Sequence, residues 1–340
     1  MKVDARFTEA GFATVTDAAR RFEAAGYDAV WAPESRHDPF LPLAVAAGPT
    51  ERVRLGTSVA VAFARTPMTM AYPAWDLQLY TGGRFVLGLG SQVKAHVERR
   101  FGMPWTAPAP RMREFIAALR AIWQSWQDGT RLDWASEHYR HSLNIPTFTP
   151  EPLEHGPPPI YLAAVGPGMT RLAGEAADGL FAHAFNTATY LREVTAVELA
   201  TGLARAERER ASFELAAPVY VATGETAEAR AEALRAVRAQ IALYGSTPAY
   251  HRVLEHHGWG ELARELHALS RERAWVRMGE ILPDDVVHEF AIVAEPDGVA
   301  EELVRRYDGV ADRVSFHAPY TAAPELWERI LADVKARPSR

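Results

Sequence analysis

Two glycine-rich segments carry a chemical pattern in this chain of 340 residues. Residues 88–91 (Gly-Leu-Gly-Ser) and 165–169 (Val-Gly-Pro-Gly-Met) each end or follow a short apolar run and precede a predicted helix. Backbone N–H groups at the start of a helix favour negative charge, and glycine lets them approach a phosphate closely. The hydroxyl of Ser91 adds a further donor. The pattern predicts a cradle for a phosphorylated ligand, built from the glycines of both segments.

The same glycines do not make a dinucleotide-binding motif. The pattern Gly-x-Gly-x-x-Gly would need a glycine where this chain has Val93. It would also need an acidic residue at the end of the next strand to hold a ribose, and none is present there. We therefore reject a Rossmann dinucleotide site.

Histidines are the candidates for proton transfer. His37 stands beside Asp38, and a carboxylate can fix the tautomer of an imidazole and raise its pKa, as a general acid or base requires. The alternative is that His37 lies at the start of a helix whose first turn is capped by Asp38. His183 and His317 lie on predicted strands six and eight, where a histidine is either a core or rim residue or part of a site.

Several other chemistries lack support. The chain has no cysteine, which excludes a thiolate nucleophile, a disulfide and a cysteine-ligated metal. Residues 138–141 (His-Tyr-Arg-His) and the pair 256–257 lack a third ligand at a telling spacing, so no metal site is expected. A hydrolase has little support, because no Gly-x-Ser-x-Gly segment is present.

Charge and hydropathy restrict the partners. The 37 basic and 43 acidic residues give a net charge of −6, which does not favour a nucleic-acid partner. No apolar run reaches the ~18–20 residues of a membrane span, so no membrane partner is expected. The first residues lack the apolar stretch of a signal peptide. We therefore expect a cytoplasmic protein that acts on a small molecule.

Strand and helix alternate along the whole chain. The predicted strands are mostly continuous apolar runs, which is typical of parallel strands covered on both faces. They are 2–7, 29–33, 53–62, 85–90, 160–165, 180–185, 215–222 and 313–317. Eight such units favour a single-domain (β/α)8 TIM barrel over residues 1–340, with a doubly wound open sheet as the alternative.

Two predicted insertions interrupt this alternation. Residues 132–159, after strand four, are rich in Tyr, His and Pro and are interpreted as a hairpin. Residues 244–294, after strand seven, are predicted to be mostly helical. In a (β/α)8 barrel the loops at the carboxyl ends of the strands form the active site. We expect both insertions to form walls or a lid there, and the second to shape substrate selectivity.

Four segments together resemble the bacterial luciferase-like flavin and deazaflavin superfamily, and most closely its coenzyme F420-dependent branch. They are 56–67 at the end of strand three, 81–92 around strand four, and 163–169 and 173–179 after strand five. The resemblance runs from about residue 2 to strand eight and is weakest across the insertions. It implies coenzyme F420 as cofactor, with FMN as the alternative.

The resemblance also implies which residues hold the cofactor and the substrate. It implies a cis peptide bond at Ser58–Val59 that supports the ring, an acidic ring ligand at Glu34, and a substrate-facing position at His183. With the glycine segments, the expected cofactor-binding residues are Glu34, Ser58, Val59, Ser91, Gln92, Val165, Gly166, Gly168 and Met169. The expected catalytic residues, which would contact the substrate, are His37 and His183.

Two positions depart from the sugar-phosphate dehydrogenases of this branch. Ser35 stands where those enzymes have a proton-donating His, and Val93 stands where they have a proton-accepting Glu. Both departures argue against that activity. Basic side chains near strand four are expected to bind the anionic tail of F420; they are Lys94, Arg99, Arg100, Arg111 and Arg113.

These observations predict an F420-dependent oxidoreductase that transfers a hydride between the cofactor and a small organic substrate. The nearest alternative is an FMN-dependent luciferase-like monooxygenase. A cofactor-binding barrel without turnover is a third possibility, because Ser35 and Val93 replace proton-handling residues. We expect a homodimer.

Overall fold

The computed structural model describes residues 1–7 and 12–337 of the chain. Twelve strands lie in these two ranges: β1 (Lys2–Arg6), β2 (Ala29–Ala32), β3 (Arg54–Thr57), β4 (Ala60–Val61), β5 (Phe85–Gly90), β6 (Trp134–Ala135), β7 (Arg140–His141), β8 (Ile160–Ala164), β9 (Gly179–Ala182), β10 (Glu214–Ala222), β11 (Ala291–Val293) and β12 (Arg313–His317). Strands β2, β5 and β9 are buried along their whole length, as expected for strands covered on both faces.

Helices follow most of the strands. Those in the described part of the chain are α1 (Phe12–Ala25), α2 (Phe40–Ala47), α3 (Pro67–Tyr80), α4 (Lys94–Arg99), α5 (Pro108–Asp128), α6 (Pro167–Ala176), α7 (Ala188–Tyr190), α8 (Ala196–Arg205), α9 (Ala227–Gly245), α10 (His251–His256), α11 (Gly260–Arg271), α12 (Trp275–Glu280), α13 (Asp284–Phe290), α14 (Pro296–Tyr307) and α15 (Pro324–Ala336). A π-helical turn, Leu191–Thr195, joins α7 to α8.

Local sequence explains where several helices begin and end. Helix α3 starts after Thr66, whose hydroxyl accepts a hydrogen bond from the backbone N–H of Thr69, and Pro67 occupies its first position. Helix α5 ends at Gly129, which adopts the left-handed conformation with φ 64°.

Eight strands form a closed parallel ring. In hydrogen-bonded order they are β10, β12, β1, β2, β3, β5, β8 and β9, and β9 pairs again with β10. The ladders place Lys2 beside Arg313, Trp31 beside Gly56 and Leu89 beside Leu162. Closure excludes the open doubly wound sheet. The prediction of a (β/α)8 barrel is confirmed.

Strand three is divided in the structure. The predicted strand 53–62 becomes β3 and β4, and the peptide bond Ser58–Val59 between them is cis. Strand β3 pairs with β2 and β5, and β4 pairs with β5 through Ala60 and Leu89. The cis bond that the resemblance implied is confirmed.

Residues 132–159 contain the hairpin that the sequence predicted. Strands β6 and β7 pair antiparallel, with Trp134 opposite His141. Arg111 of α5 donates to the hydroxyl of Tyr139 at 2.9 Å, so the hairpin is attached to that helix.

Residues 244–294 are helical except at their end. Helices α10 to α13 fill most of the range, as predicted, but residues 291–293 form β11 and pair parallel with Tyr220–Ala222 of β10. The sequence analysis missed this strand. The run Ala-Ile-Val is too short to show a strand period in the sequence. The full burial of Ala291 and Ile292, which identifies it as a core strand, is seen only in the structure.

The chain divides into two compact units. Unit 1 contains Met1–Asp4, Ala182–Glu198 and Leu215–Arg340, and unit 2 contains Ala5–Phe181 and Leu199–Glu214. The prediction of one domain over residues 1–340 stays a prediction. Within residues 1–7 and 12–337, no helix combines the length and the apolar character needed to cross a bilayer.

Unit 1 contains a buried ion pair between its first and last strands. The guanidinium of Arg313 in β12 donates from Nε and Nη2 to the two carboxylate oxygens of Asp4 in β1, at 2.9 and 2.6 Å. Both side chains are 1% exposed. Such a bidentate pair fixes strand register, because neither charge can remain buried without the other.

In unit 2 the barrel strands approach too closely for most side chains. At Gly88 in β5, an added Cβ would lie 1.9 Å from the carbonyl oxygen of Thr57. The hydroxyl of Thr57 also donates to the Gly88 carbonyl and accepts from the Gly88 N–H. Gly88 therefore serves strand packing, and its expected role in a phosphate cradle is wrong.

Candidate functional site

Glu34 lies at the centre of a polar network in unit 2. It follows β2, and its side chain is 7% exposed. Its Oε2 atom accepts hydrogen bonds from the backbone N–H of Val61 and from Nη1 of Arg65, both at 2.7 Å. No hydrogen bond to its other oxygen, Oε1, is found among the described residues. Glu34 is thus a fixed carboxylate with one oxygen available to a ligand.

Arg65 joins two carboxylates. Its Nη2 atom donates to Asp38 Oδ2 at 2.9 Å, while Nη1 binds Glu34. Burial alone would lower the pKa of Arg65, but the hydrogen bonds and charges of Glu34 and Asp38 outweigh it and raise that pKa. The planar guanidinium can hold both acids at once, which a lysine could not do.

His37 does not form the expected pair with Asp38. The oxygens of Asp38 accept from Arg65 and from the backbone N–H of Phe40, at 2.9 and 2.8 Å. His37 is exposed and lies against the ring of Phe12, with the centroids 6.4 Å apart. The alternative interpretation, in which Asp38 caps the first turn of α2, agrees with these contacts. A catalytic role for His37 stays a prediction.

The segment between β3 and β4 lies beside Glu34. The Glu34 N–H donates to the carbonyl of Val59 at 3.3 Å, and Ser58 N–H donates to Ala32 at 2.8 Å. An added Cβ at Gly90 would lie 2.6 Å from Cγ2 of Val59, so the Val59 side chain rests on this glycine. The structure therefore brings together Glu34, Ser58, Val59 and the carboxyl end of β5.

The loop after β5 makes its hydrogen bonds within itself. The Ser91 hydroxyl donates to the carbonyl of Gln92 at 3.2 Å, and Oε1 of Gln92 accepts from Val93 N–H at 3.1 Å. Gln92 adopts a left-handed conformation with φ 61°. Both residues are half-buried, and their roles as cofactor ligands stay predictions.

The loop after β8 lies next to the loop after β5. The parallel ladder through Leu89 and Leu162 aligns the carboxyl ends of the two strands. Gly166 precedes α6 without a side-chain cap, and Pro167 occupies the first helical position. A Cβ on Gly168 would meet no atom within 4 Å. The uncapped first turn of this ten-residue helix is accessible to a phosphate.

Val165 and Met169 lie on either side of these glycines. Met169 N–H donates to the Gly166 carbonyl at 3.1 Å within the first turn of α6. Both side chains are half-buried. The structure therefore places all nine expected cofactor ligands in unit 2, after the carboxyl ends of β2, β3, β5 and β8, with Gly168 and Met169 in the first turn of α6.

Most of the basic side chains that were expected to bind the anionic tail of F420 make other contacts in the structure. Arg111 is buried, donates to the Pro104 carbonyl and the Tyr139 hydroxyl, and lies over Phe63. Arg113 pairs with Glu175, and Arg100 donates to the Ser35 carbonyl at 2.8 Å. Lys94 lies 3.8 Å from Glu98. The expectation that Arg111 binds a cofactor tail is wrong, because proximity in sequence did not reveal that this residue lies on the buried face of α5. Arg113 is exposed, and its expected role stays a prediction.

His183 lies in unit 1, just after β9. Its Nδ1 atom accepts the backbone N–H of Phe185 at 3.0 Å, and its Nε2 atom lies 3.2 Å from the hydroxyl of Tyr250. The ring of Tyr250 stacks on the imidazole, with centroids 4.5 Å apart, and Tyr244 packs edge-on at 4.8 Å. His183 is therefore held between tyrosines of the second insertion.

Tyr220 and His317 are neighbours in the same unit. They are register partners in β10 and β12, and their rings pack edge to face at 4.8 Å. Tyr220 is fully buried, and its hydroxyl has no hydrogen-bond partner in the described part of the chain. An unsatisfied buried hydroxyl costs about 1–3 kcal/mol.

The sequence analysis missed Arg65, Tyr220 and Tyr250. Arg65 lies in the segment 56–67 used for the resemblance, and a lone charge after an apolar strand was a usable signal. Tyr220 lies inside a buried strand and has the pattern of a core residue. Tyr250 lies in an insertion without recognisable period, so no sequence signal indicated it.

Comparisons with known proteins identify relatives along most of the chain. The family profile described as luciferase-like monooxygenase matches residues 2–313. An uncharacterized protein of Mycobacterium tuberculosis is 51% identical over 302 residues, 89% of either chain. The F420-dependent glucose-6-phosphate dehydrogenase of Beutenbergia cavernae is 29% identical over 337 residues, which is 93% of this chain and 90% of the dehydrogenase.

Solved structures share the fold. The coenzyme F420-dependent tetrahydromethanopterin reductase of Methanopyrus kandleri superposes with a TM-score of 0.77 at 18% identity, covering 98% of this chain and 97% of the reductase. The oxygenating constituent of 3,6-diketocamphane monooxygenase from Pseudomonas putida, solved with FMN, gives 0.70 at 16% identity, covering 100% and 98%. At these identities the likeness shows the fold alone.

Proposed function

Because the chain belongs to the luciferase-like monooxygenase family, we propose that it is an oxidoreductase that binds coenzyme F420 and transfers a hydride between F420 and a small organic substrate. A relative named for F420, matched over 93% of this chain, supports this cofactor. The observation that carries the proposal is the Glu34 carboxylate, fixed through Oε2 with Oε1 available.

The residues of unit 2 fit both ends of such a cofactor. A flat ring with an imide N–H can donate to Oε1 of Glu34, next to Ser58 and Val59. The uncapped first turn of α6 at Gly166 and Gly168 can bind the phosphate, with Ser91 in the neighbouring loop. Gln92, Val165 and Met169 would line the remaining surface.

When bound, F420 supplies two-electron hydride chemistry. The protein residues bind and orient the partners: Glu34 fixes the ring edge, and Arg65 holds that carboxylate in place through its hydrogen bond to Oε2. For His37 in unit 2, and separately for His183 in unit 1, contact with a small-molecule substrate stays a prediction.

Separate titrations with F420 and with FMN test the cofactor. We expect F420 to quench the tryptophan fluorescence of the purified protein and to release heat on binding. We expect Glu34→Gln to weaken binding about tenfold or more, equivalent to about 1.4 kcal/mol. Glu51→Gln, an exposed acid in the same unit, is the matched control and should bind like wild type. Absence of binding by either cofactor would contradict the proposal.

FMN is the second candidate, with monooxygenase activity. One observation favours it: Arg111 is buried and donates to the Pro104 carbonyl, which weakens the argument from an anionic F420 tail. Tighter binding of FMN than of F420, with oxygen consumed in the presence of reduced FMN, would support this alternative. Binding without turnover of any tested substrate would instead favour a non-catalytic barrel.

A homodimer and a cytoplasmic location remain part of the proposal. Light scattering after size-exclusion chromatography would determine the mass in solution. A monomer at micromolar concentration would contradict the dimer without affecting the proposed chemistry.

A further inference from the structure

One histidine and two glutamates of unit 2 lie together where the hairpin of the first insertion meets helix α5. Glu114 belongs to α5, and Glu137 and His138 lie between strands β6 and β7 of the hairpin. Each residue offers one possible metal-ligand atom, and these three atoms all lie within 4.8 Å of one another. We call these three residues the Glu–Glu–His cluster.

The carboxylate of Glu114 is held by the hairpin. Its Oε2 atom accepts hydrogen bonds from the Ser136 hydroxyl at 2.6 Å and from the backbone N–H of His138 at 2.8 Å. Burial alone would raise the pKa of Glu114, but the hydrogen bonds of Ser136 and His138 outweigh it and lower that pKa. The carboxylate is therefore ionised at neutral pH and fixed in orientation.

The imidazole of His138 presents Nδ1 to the same carboxylate. This nitrogen lies 3.0 Å from Glu114 Oε2, and the His138 side chain is 17% exposed. Because an ionised carboxylate has no proton to give, Nδ1 carries the hydrogen of this contact. A zinc ion with bonds of about 2.1 Å separates two neighbouring ligands by about 3.0–3.4 Å. Such an ion can therefore replace the hydrogen between these two atoms with little movement of either side chain.

Glu137 offers a third ligand and a second negative charge. Its side chain is exposed, and no hydrogen bond or ion pair of Glu137 is found in residues 1–7 and 12–337. In the same ranges no Lys or Arg lies within ion-pair distance of either glutamate, and the charged partner of Glu114 is His138. With a neutral imidazole the cluster carries two uncompensated negative charges, which one divalent cation would balance.

We propose that the Glu–Glu–His cluster binds one divalent transition-metal ion, and that Zn²⁺ fits it best. Zn²⁺ accepts a histidine nitrogen together with carboxylate oxygens, and three protein ligands leave its fourth position to water. Mg²⁺ fits less well, because it prefers oxygen ligands in an octahedral arrangement. The ion would fasten the hairpin to α5, since its ligands come from both elements.

The sequence analysis expected no metal site, because it sought a third ligand close to the histidines in sequence. His138 and Glu114 are 24 positions apart, and only the fold brings them together. The inference does not rest on the proposed cofactor, so failure to bind F420 would leave it intact.

Calorimetric titration of ZnCl₂ into the untagged full-length protein, treated first with a chelator, tests the affinity. We expect one Zn²⁺ ion to bind per chain, and Mg²⁺ to bind about 100-fold more weakly or less. Equal binding of both ions would reduce the cluster to an acidic surface patch and overturn the inference.

Glu137→Gln is the decisive variant, because Glu137 is exposed and its replacement should leave the fold intact. We expect it to weaken Zn²⁺ binding about tenfold or more, and His138→Gln about 100-fold, since even the loss of an outer-shell partner costs about 10–100-fold. Glu154→Gln and His96→Gln replace exposed residues of the same unit and should bind Zn²⁺ like wild type. Urea midpoints measured in chelator should agree between Glu137→Gln and Glu154→Gln.

Long-range proton–nitrogen NMR identifies the ligand atom. Without metal, His138 should be the Nδ1–H tautomer, assigned by the loss of its signals in His138→Gln. Saturation with Zn²⁺ should leave the ring with its proton on Nε2 and shift the Nδ1 resonance. The backbone amides of residues 134–141 should also exchange with solvent about tenfold more slowly, because the ion holds the hairpin on α5.

Three results would contradict the metal site. The first is a wild-type protein without saturable Zn²⁺ binding up to millimolar concentration. The second is binding by both Glu137→Gln and His138→Gln within threefold of wild type, which would place the ion elsewhere. The third is an Nδ1–H signal of His138 that persists when Zn²⁺ is bound.

Discussion

Removal of the Arg65 guanidinium should loosen Glu34 more than Asp38. In Arg65→Met the aliphatic stem remains and both hydrogen bonds are lost. The Glu34 contact is 2.7 Å long, and its carboxylate is 7% exposed. A hydrogen bond to a charged group in such surroundings contributes about 1.5–3 kcal/mol. The Asp38 contact is 2.9 Å long, but that carboxylate is 39% exposed, where an ion pair contributes about 0.5 kcal/mol.

Double-mutant cycles can measure the two contacts separately. Urea denaturation of Arg65→Met, Glu34→Gln, Asp38→Asn and the two double variants gives the coupling free energies, provided that the m-value stays constant. We expect the Glu34–Arg65 coupling to exceed the Asp38–Arg65 coupling by about 1 kcal/mol or more. Titration with F420 should show that Arg65→Met weakens binding as Glu34→Gln does, whereas Asp38→Asn changes it little. Equal couplings, or wild-type F420 binding by Arg65→Met, would refute this reasoning.

Three further predictions concern stability. Gly88→Ala should prevent stable folding, because its Cβ would lie 1.9 Å from a carbonyl oxygen, whereas Gly168→Ala has open space and should keep the wild-type melting temperature. Arg313→Met should lower the free energy of unfolding by about 3–5 kcal/mol, since it breaks a buried ion pair and removes two hydrogen bonds to Asp4; a urea midpoint close to wild type would contradict this. The pKa of Glu302 is lowered to about 2, mainly by hydrogen bonds from Arg305 and also from Arg306, so the folded carboxylate adds stability above its ordinary pKa of 4.5. This advantage over Glu302→Gln should disappear as the pH falls from 4.5 to about 2, and a constant difference in urea midpoint across that window would show that the pairing is without effect.

The barrel could be predicted from the sequence because the pattern of an apolar strand followed by a helix is repeated along the chain. Each apolar strand is followed by a helix, and eight repetitions allow few other arrangements. The cis peptide bond at Ser58–Val59, which divides strand three, was predicted only from the resemblance. No local sequence pattern distinguishes this segment from a continuous strand. Strand β11 was missed because three residues give no period, and only its burial beside β10 identifies it.

The candidate site was less accessible to sequence reasoning. Glu34 was selected from the resemblance as a ring ligand, and that role stays a prediction. Its partner Arg65 lies 31 positions away and is brought to it only by the fold. The pairing of His37 with Asp38 failed because Arg65 and a backbone N–H take the carboxylate. Adjacent residues in sequence can point in different directions, so adjacency did not predict contact.

The second insertion is attached to the barrel at both of its ends. It leaves through the long helix α9 and returns through β11, which pairs with Tyr220–Ala222. Between these two attachments, α10 to α13 pack on an apolar cluster that includes Val237, Leu266 and Phe290. Because both ends are anchored and the helices share their own apolar cluster, the segment can be replaced as a unit: a graft that preserves both junctions should leave the register of β10 and β11 unchanged.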